Sequence, residues 1–283
     1  MNTEAHQPPP LHLFGGQGRL LHLAHANGFP PGTYRRLALA LTARYRVAGL
    51  PLRPLWPGSS PASALTWRPL ASDLVAALER EGESGIVGVG HSLGGVLTLW
   101  AAIDRPDLFR AVVLIDPVIL PRRWLWSMRL LRAAGLGHRQ PLVQGALRRR
   151  TRWPSRAACL DHLRRKPLFA AWTDGALEDY VDSATRPMAD GSVELIYPPA
   201  WEAHIFATTP TDTWRDAPKL RIPTLLIRGE RSTTFLGPVA ARLAQMLPQA
   251  QRVTIAGAGH LAPMERPAET AAALLDFLER CPS

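Results

Sequence analysis

The chain has 283 residues, 46% of them apolar, which is enough to form a sizeable core and argues against a disordered protein. Its 33 basic residues outnumber 23 acidic ones, for a formal charge of +10. No stretch approaches the roughly 18 consecutive apolar residues that a spanning helix requires, so an integral membrane protein is excluded.

The N-terminal residues 1–10 contain neither the basic nor the apolar region of a secretory signal, so we expect a cytoplasmic protein. The two cysteines, Cys159 and Cys281, are too few for a disulfide framework. Neither lies in a cluster of Cys and His with zinc-ligand spacing, and we expect no metal and no cofactor.

Short apolar runs bounded by Gly or Pro predict six buried strands, at residues 20–24, 45–48, 86–89, 111–115, 224–227 and 252–255. Helical periodicity predicts five helices between and after them, at residues 34–43, 70–80, 95–104, 239–247 and 268–278. This alternation is typical of an α/β fold with a doubly wound, mostly parallel sheet.

Residues 118–215 contain no run typical of a central strand, so we expect an inserted, largely helical cap, called the cap segment below. Residues 1–117 and 216–283 would then form the core domain. The basic excess lies in the cap segment, where residues 118–170 hold 12 Arg and one Lys against the single acid Asp161. No nucleic-acid-binding motif accompanies this charge, and no nucleic-acid partner is predicted.

A buried strand runs through Gly90-His91-Ser92-Leu93-Gly94 into a helix. This Gly-x-Ser-x-Gly pattern between a strand and a helix predicts a nucleophile elbow, a sharp turn that exposes the hydroxyl of Ser92. Because the turn is crowded, its two glycines keep side chains out of it. The N–H of Leu93, at the start of the helix, is then directed towards an oxyanion formed when Ser92 attacks a carbonyl.

A serine hydroxyl is a poor nucleophile until a base takes its proton. The chain has nine histidines, and His260 is the best candidate for the base. It ends the sequence Gly257-Ala258-Gly259-His260, in a loop between the last predicted strand and the last predicted helix. We therefore expect His260 to lie above the carboxyl edge of the sheet, on the same side as Ser92.

These motifs resemble those of the α/β-hydrolase superfamily of esterases, lipases and C–C hydrolases. The resemblance covers residues 20–117 and 216–280 and includes a third motif at residues 25–30, His-Ala-Asn-Gly-Phe-Pro. This motif is similar to the family's His-Gly-x-Pro oxyanion loop. The resemblance implies that the backbone N–H of Phe29 joins that of Leu93 in an oxyanion hole.

The acid of the triad departs from the family pattern. Relatives usually carry an aspartate two to four residues past the strand that here ends near Gly229, whereas positions 231–234 hold Arg, Ser, Thr and Thr. Two carboxylates could substitute: Asp116, at the end of the strand 111–115, and Glu230, in the same loop as the missing acid. Since some superfamily members use an acid at the end of the earlier strand, we expect Asp116, with Glu230 as the alternative.

An amphipathic helix is predicted at the start of the cap segment. Four apolar residues share one face and four arginines the other: Trp124, Leu125, Met128 and Leu131, against Arg122, Arg123, Arg129 and Arg132. One interpretation is a lid that offers its aromatic face to an acyl chain and its basic face to anionic lipid or an acidic substrate. The favoured interpretation is a helix packed on the core with solvated arginines, so membrane-surface contact is not the preferred expectation.

The sequence thus predicts a serine hydrolase that cleaves small-molecule carboxylic esters through an acyl-enzyme. Ser92 would be the nucleophile, His260 the base and Asp116 or Glu230 the acid. One alternative is a C–C hydrolase or a thioesterase with the same triad. Another is a catalytically silent α/β-hydrolase that binds a ligand, which the missing acid after Glu230 suggests.

Overall fold

A computed structural model describes residues 7–281; residues 1–6, on which the interpretation of the N-terminus partly depends, lie outside this range. The strands are β1 His12–Gly15, β2 Leu20–Ala24, β3 Arg46–Gly49, β4 Ile86–His91, β5 Phe109–Ile115, β6 Arg152–Trp153, β7 Thr185–Pro187, β8 Val193–Leu195, β9 Thr224–Gly229 and β10 Ala250–Ile255. The α-helices are α1 Arg35–Leu41, α2 Arg68–Arg80, α3 Leu93–Asp104, α4 Arg122–Ala133, α5 Pro141–Leu147, α6 Arg156–Arg164, α7 Asp174–Ala184, α8 Pro199–Ala207, α9 Thr213–Asp216, α10 Gly237–Met246, α11 Ala262–Glu265 and α12 Pro267–Glu279.

Seven strands form one sheet in the order β1-β3-β2-β4-β5-β9-β10. Every neighbouring pair is parallel except β1 and β3. All six predicted strands lie in this sheet, each within two residues of its predicted bounds. The α/β class and the doubly wound, mostly parallel sheet are therefore confirmed. Because parallel strands end at one edge, the carboxyl ends of β4, β5, β9 and β10 share a rim.

The inner strands β2, β4, β5 and β9 are buried on both faces, as is typical of parallel sheets. Successive residues of β5 enter opposite cores: Val112 and Leu114 belong to one apolar cluster, and Ala111, Val113 and Ile115 to the other. Helices α2 and α3 supply side chains to the first cluster, and α1 and α12 to the second. Helices therefore cover both faces of the sheet.

Two features of the fold were not predicted. The edge strand β1 is short and partly exposed, so it shows no run of buried residues. Within the cap segment, β6, β8 and β7 form a small antiparallel sheet beside helices α4 to α9. Its strands are two or three residues long, too short to produce a period in the sequence.

The expected packing of α4 is wrong for half of its apolar face. Leu125 is buried and Met128 packs against the core, but Trp124 and Leu131 are exposed. The helix is rotated from the expected orientation: Arg132, expected in solvent, is only partly exposed and donates to the carbonyl of Thr209. Among residues 7–281, no helix is both long enough and apolar enough to cross a membrane.

Candidate active site

The turn between β4 and α3 has the geometry of a nucleophile elbow. Ser92 lies between the two elements with φ 56° and ψ −114°, a strained conformation for a residue with a side chain. A Cβ on Gly90 would overlap the carbonyl oxygen of Gly94, and one on Gly94 would overlap that of Ala24. The two glycines are therefore required by close backbone contacts, and they leave Ser92 at the rim of the sheet.

Three side chains from distant parts of the chain meet at this rim. His260 Nε2 lies 3.0 Å from Ser92 Oγ, and His260 Nδ1 lies 2.6 Å from Asp116 Oδ1. Because a carboxylate only accepts hydrogen bonds, Nδ1 carries the proton and Nε2 is free to accept from the serine hydroxyl. The three side chains have the relative positions that a nucleophile, a base and an orienting acid require.

Asp116 is fully buried at the end of β5, with a positive φ of 43°. Besides His260, two groups donate to its carboxylate: the hydroxyl of Ser232 at 2.6 Å and the N–H of Gly229 at 3.0 Å. A buried charge is tolerated only with such partners. Ser232 stands in the loop where relatives carry the acid, and here its hydroxyl supports Asp116 instead.

Glu230, the alternative acid, lies elsewhere. Its side chain is exposed and accepts from the N–H of Gly257 at 2.8 Å. It braces the loop that leads to His260 but has no contact with the imidazole among the described residues. The structure therefore brings Asp116, and not Glu230, to His260.

Backbone N–H groups for an oxyanion were expected at Leu93 and Phe29. Within residues 7–281 the N–H of Leu93, the first of α3, has no hydrogen-bond acceptor and is available. The N–H of Phe29 instead donates to the carbonyl of Ala26 at 3.2 Å, because residues 26–29 form a tight turn. In this structure the N–H of Phe29 is therefore not free, and its place in an oxyanion hole stays a prediction.

The N–H of Asn27 also lacks an acceptor in the described part of the chain. Its side chain is held from both ends by the cap segment: Oδ1 accepts from the hydroxyl of Tyr197 at 2.9 Å, and Nδ2 donates to the carbonyl of Glu202 at 3.0 Å. Sequence reasoning missed this residue, although it belongs to the quoted motif at residues 25–30. The cap segment thus fixes the loop that follows β2.

A chain of hydrogen bonds joins this loop to the His260 loop behind the site. The N–H of Ala26 donates to Tyr34 Oη (2.9 Å), Tyr34 donates to His91 Nδ1 (2.7 Å), and His91 Nε2 donates to the carbonyl of His260 (2.9 Å). Desolvation by burial, with a smaller contribution from the nearby charge of His260, lowers the pKa of His91 to about 3. The ring is therefore neutral, with one donor and one acceptor, as this chain requires.

Arg149 of the cap segment lies close to the loop that follows β2. Its guanidinium is largely buried, lies 2.7 Å from Glu202 Oε2, and contacts the hydroxyl of Tyr180. A Cβ on Gly28 would lie 3.1 Å from the Glu202 carboxylate and 3.3 Å from the Arg149 guanidinium. Desolvation lowers the pKa of Arg149, but attraction to Tyr180 and Glu202 outweighs it and raises the pKa, so this cap residue stays charged beside the loop that follows β2.

The chain belongs to the Alpha/beta hydrolase family, which it matches over residues 22–273. It is therefore a member of a family of hydrolases, as the resemblance of its motifs implied.

Similarity to individual proteins is lower. The chain is 26% identical to the uncharacterized hydrolase YugF of Bacillus subtilis (strain 168) over 252 residues, 87% of this chain and 85% of that protein. Its fold is similar to the crystal structure of E-2-(acetamidomethylene)succinate hydrolase, with a TM-score of 0.76, 20% identity, and 94% and 93% of the two chains covered. It also resembles the thioesterase domain from the curacin biosynthetic pathway, with a TM-score of 0.70, 18% identity, and 92% and 93% covered.

Proposed function

We propose that this protein is a serine hydrolase that cleaves carboxylic esters through an acyl-enzyme. The observation that carries the proposal is the continuous contact from Ser92 Oγ to His260 Nε2 (3.0 Å) and from His260 Nδ1 to Asp116 Oδ1 (2.6 Å). A serine on an elbow, with a base and a buried acid in line, has the geometry that acyl transfer to a serine requires, so the proposal does not depend on sequence motifs alone.

In the proposed reaction, His260 takes the proton of Ser92 as Oγ attacks the ester carbonyl. Asp116 keeps the imidazole in the tautomer with its proton on Nδ1 and stabilises the imidazolium that forms. His260 then gives its proton to the leaving alkoxide. A water molecule, activated by the same base, releases the acyl group and restores Ser92.

Two N–H groups are proposed to hold the oxyanion: that of Leu93, and that of Asn27 in place of Phe29. Both lack acceptors among residues 7–281, whereas the N–H of Phe29 is occupied. Asn27 follows β2, which pairs with β4 immediately before the elbow. Each such donor is worth roughly 10²- to 10³-fold in turnover in serine hydrolases.

Ser92→Ala tests the proposal. We expect the wild-type protein to hydrolyse a short- to medium-chain nitrophenyl ester series and the variant to lose at least about 10⁴-fold in kcat, because the nucleophile is gone. Ser72→Ala, an exposed serine on α2, is the matched control and should keep full activity. If the folded wild-type protein hydrolysed no ester in the series, the ester proposal would be wrong.

A thioesterase is the second candidate, and the structural similarity to the curacin thioesterase domain favours it. The same series extended to acyl thioesters separates the two by their kcat/KM. The contact between Asp116 and His260 supports either hydrolase over a silent binding protein, which the apparent lack of an acid had suggested.

A further inference from the structure

Helix α4 presents an apolar surface that no part of the described chain covers. Of its twelve residues only Leu125 is buried. Trp126 and Leu130, one helical turn apart, are 63% and 68% exposed on the side of the helix that faces away from Leu125 and Met128. Trp124 and Leu131, 37% and 39% exposed, lie at the edge of the buried side. Four large apolar side chains exposed on one short helix are unusual for a monomer and are typical of an interaction surface.

The charge around this surface is positive. Helix α4 contains four arginines and no acid. Among residues 7–281, neither Arg122 nor Arg123 forms an ion pair, and Arg129 donates only to neutral oxygens of Thr211. The guanidiniums of Arg122 and Arg129 lie over the rings of Trp214 and Trp126, which are also neutral. These cations are not neutralised locally. They add to the net charge of +12 over residues 118–170, which contain 12 Arg, one Lys and one Asp.

A second copy of the chain is a poor partner for such a face. In a symmetric dimer the same surface meets itself, so the arginines of the two helices would be brought together and repel each other. A surface of anionic phospholipids offers an apolar region to the tryptophan and leucine side chains and negative charge to the arginines. Tryptophan and leucine enter the boundary between headgroups and acyl chains while arginine pairs with phosphate.

We propose that α4 is a docking surface for anionic lipid bilayers, in which Trp126 and Leu130 insert and Arg122 and Arg123 contact the headgroups. This goes beyond the proposed hydrolase activity and does not depend on it. The sequence alone favours a helix packed on the core with solvated arginines, because charge stripes usually lie on the surface, whereas the exposure of Trp126 and Leu130 favours a docking surface.

Co-sedimentation of the full chain with phosphatidylcholine vesicles, with and without phosphatidylglycerol, tests this proposal. We expect binding only to vesicles with phosphatidylglycerol, and release as salt rises from about 0.1 M to about 1 M, where the screening length falls from about 10 Å to about 3 Å. Removing Arg122 and Arg123 together (R122Q/R123Q) should weaken partitioning by about 30-fold, since each basic residue near an anionic surface contributes about fivefold. Trp126→Ser with Leu130→Ser should weaken it by at least about tenfold.

Matched controls carry the same changes on other surfaces. Leu13→Ser with Leu65→Ser removes two exposed leucines, and Arg242→Gln with Arg252→Gln removes two exposed arginines; both should bind vesicles like the wild type. Two results would overturn the proposal: no adsorption of the wild type to anionic vesicles at low salt, or equal adsorption of the α4 variants. A third result would come from sedimentation velocity without lipid. If the wild type formed a dimer and Trp126→Ser with Leu130→Ser abolished it, the surface would belong to a contact with a second copy of the chain.

Discussion

Asp116 is the residue on which the proposed chemistry depends most, because its carboxylate accepts the hydrogen bond from Nδ1 of His260. In Asp116→Asn an amide replaces the carboxylate, so His260 can adopt the wrong tautomer and the imidazolium loses its counter-charge. We expect kcat for ester hydrolysis to fall by about 10⁴-fold with little change in KM. Steady-state kinetics at neutral pH measures both.

Glu230→Gln is the control for that experiment. The Glu230 side chain is exposed and, among the described residues, accepts only from the backbone N–H of Gly257. We therefore expect the variant to keep kcat within about twofold of the wild-type value, a much smaller change than that expected for Asp116→Asn. The opposite ranking, with Glu230→Gln inactive and Asp116→Asn active, would show that the loop rearranges in solution and that the acid is Glu230.

At the scale of elements, the cap segment and the loop after β2 are coupled through Asn27. Tyr197→Phe removes the donor to Asn27 Oδ1 and leaves that buried oxygen without its partner. If the loop carries an oxyanion donor, kcat should fall by about tenfold, the loss expected for one such hydrogen bond, with KM nearly unchanged. The affinity for a boronic acid, which binds as a tetrahedral anion on the serine, should fall in parallel.

If Tyr197 had only a structural role, Tyr197→Phe would give a different result. Thermal stability would drop while kcat and boronic acid affinity stayed at wild-type values. Tyr45→Phe changes another buried tyrosine, which follows α1 away from the rim, and should alter neither quantity. Equal effects of the two substitutions would refute the coupling.

At the scale of the whole molecule, we expect three buried histidines to make the fold acid-sensitive. Burial lowers the pKa values of His22, His25 and His91 to about 3, 4 and 3, against 6.5 in an unfolded chain. The Nε2 atoms of His22 and His25 accept from the backbone N–H groups of Leu50 and Leu52, which a protonated ring could not do. Since the unfolded state binds these protons first, stability is complete above about pH 6.5 and falls as the pH drops towards 4.

In that range each histidine lowers the free energy of unfolding by up to about 1.4 kcal/mol for every pH unit of acidification. The three histidines together lower it by up to about 4 kcal/mol per pH unit. Urea unfolding at pH 7, 6 and 5 measures the slope, and His22→Gln should reduce it by about a third. A free energy of unfolding that stayed constant from pH 7 to pH 5 would contradict the burial of neutral imidazoles.

Much of the fold and two members of the site could be predicted from the sequence because local physics determines them. Residues buried on both faces of a parallel strand form continuous apolar runs, which identified β2, β4 and β9. The elbow was recognisable because its backbone admits only glycine at positions 90 and 94. Ser92 and His260 follow from motifs of a few residues with a defined strand and loop context.

The tertiary structure decided what depends on contacts between distant residues. Asp116 and Glu230 follow neighbouring strands, and only the pairing of β5 with β9 and the hydroxyl of Ser232 bring Asp116 to an imidazole 144 residues away. The turn that occupies the N–H of Phe29 and the rotation of α4 likewise follow from packing. Periodicity gives the elements and their order, whereas side-chain contacts across the sheet and the orientation of a surface helix depend on the free energy of the whole assembly.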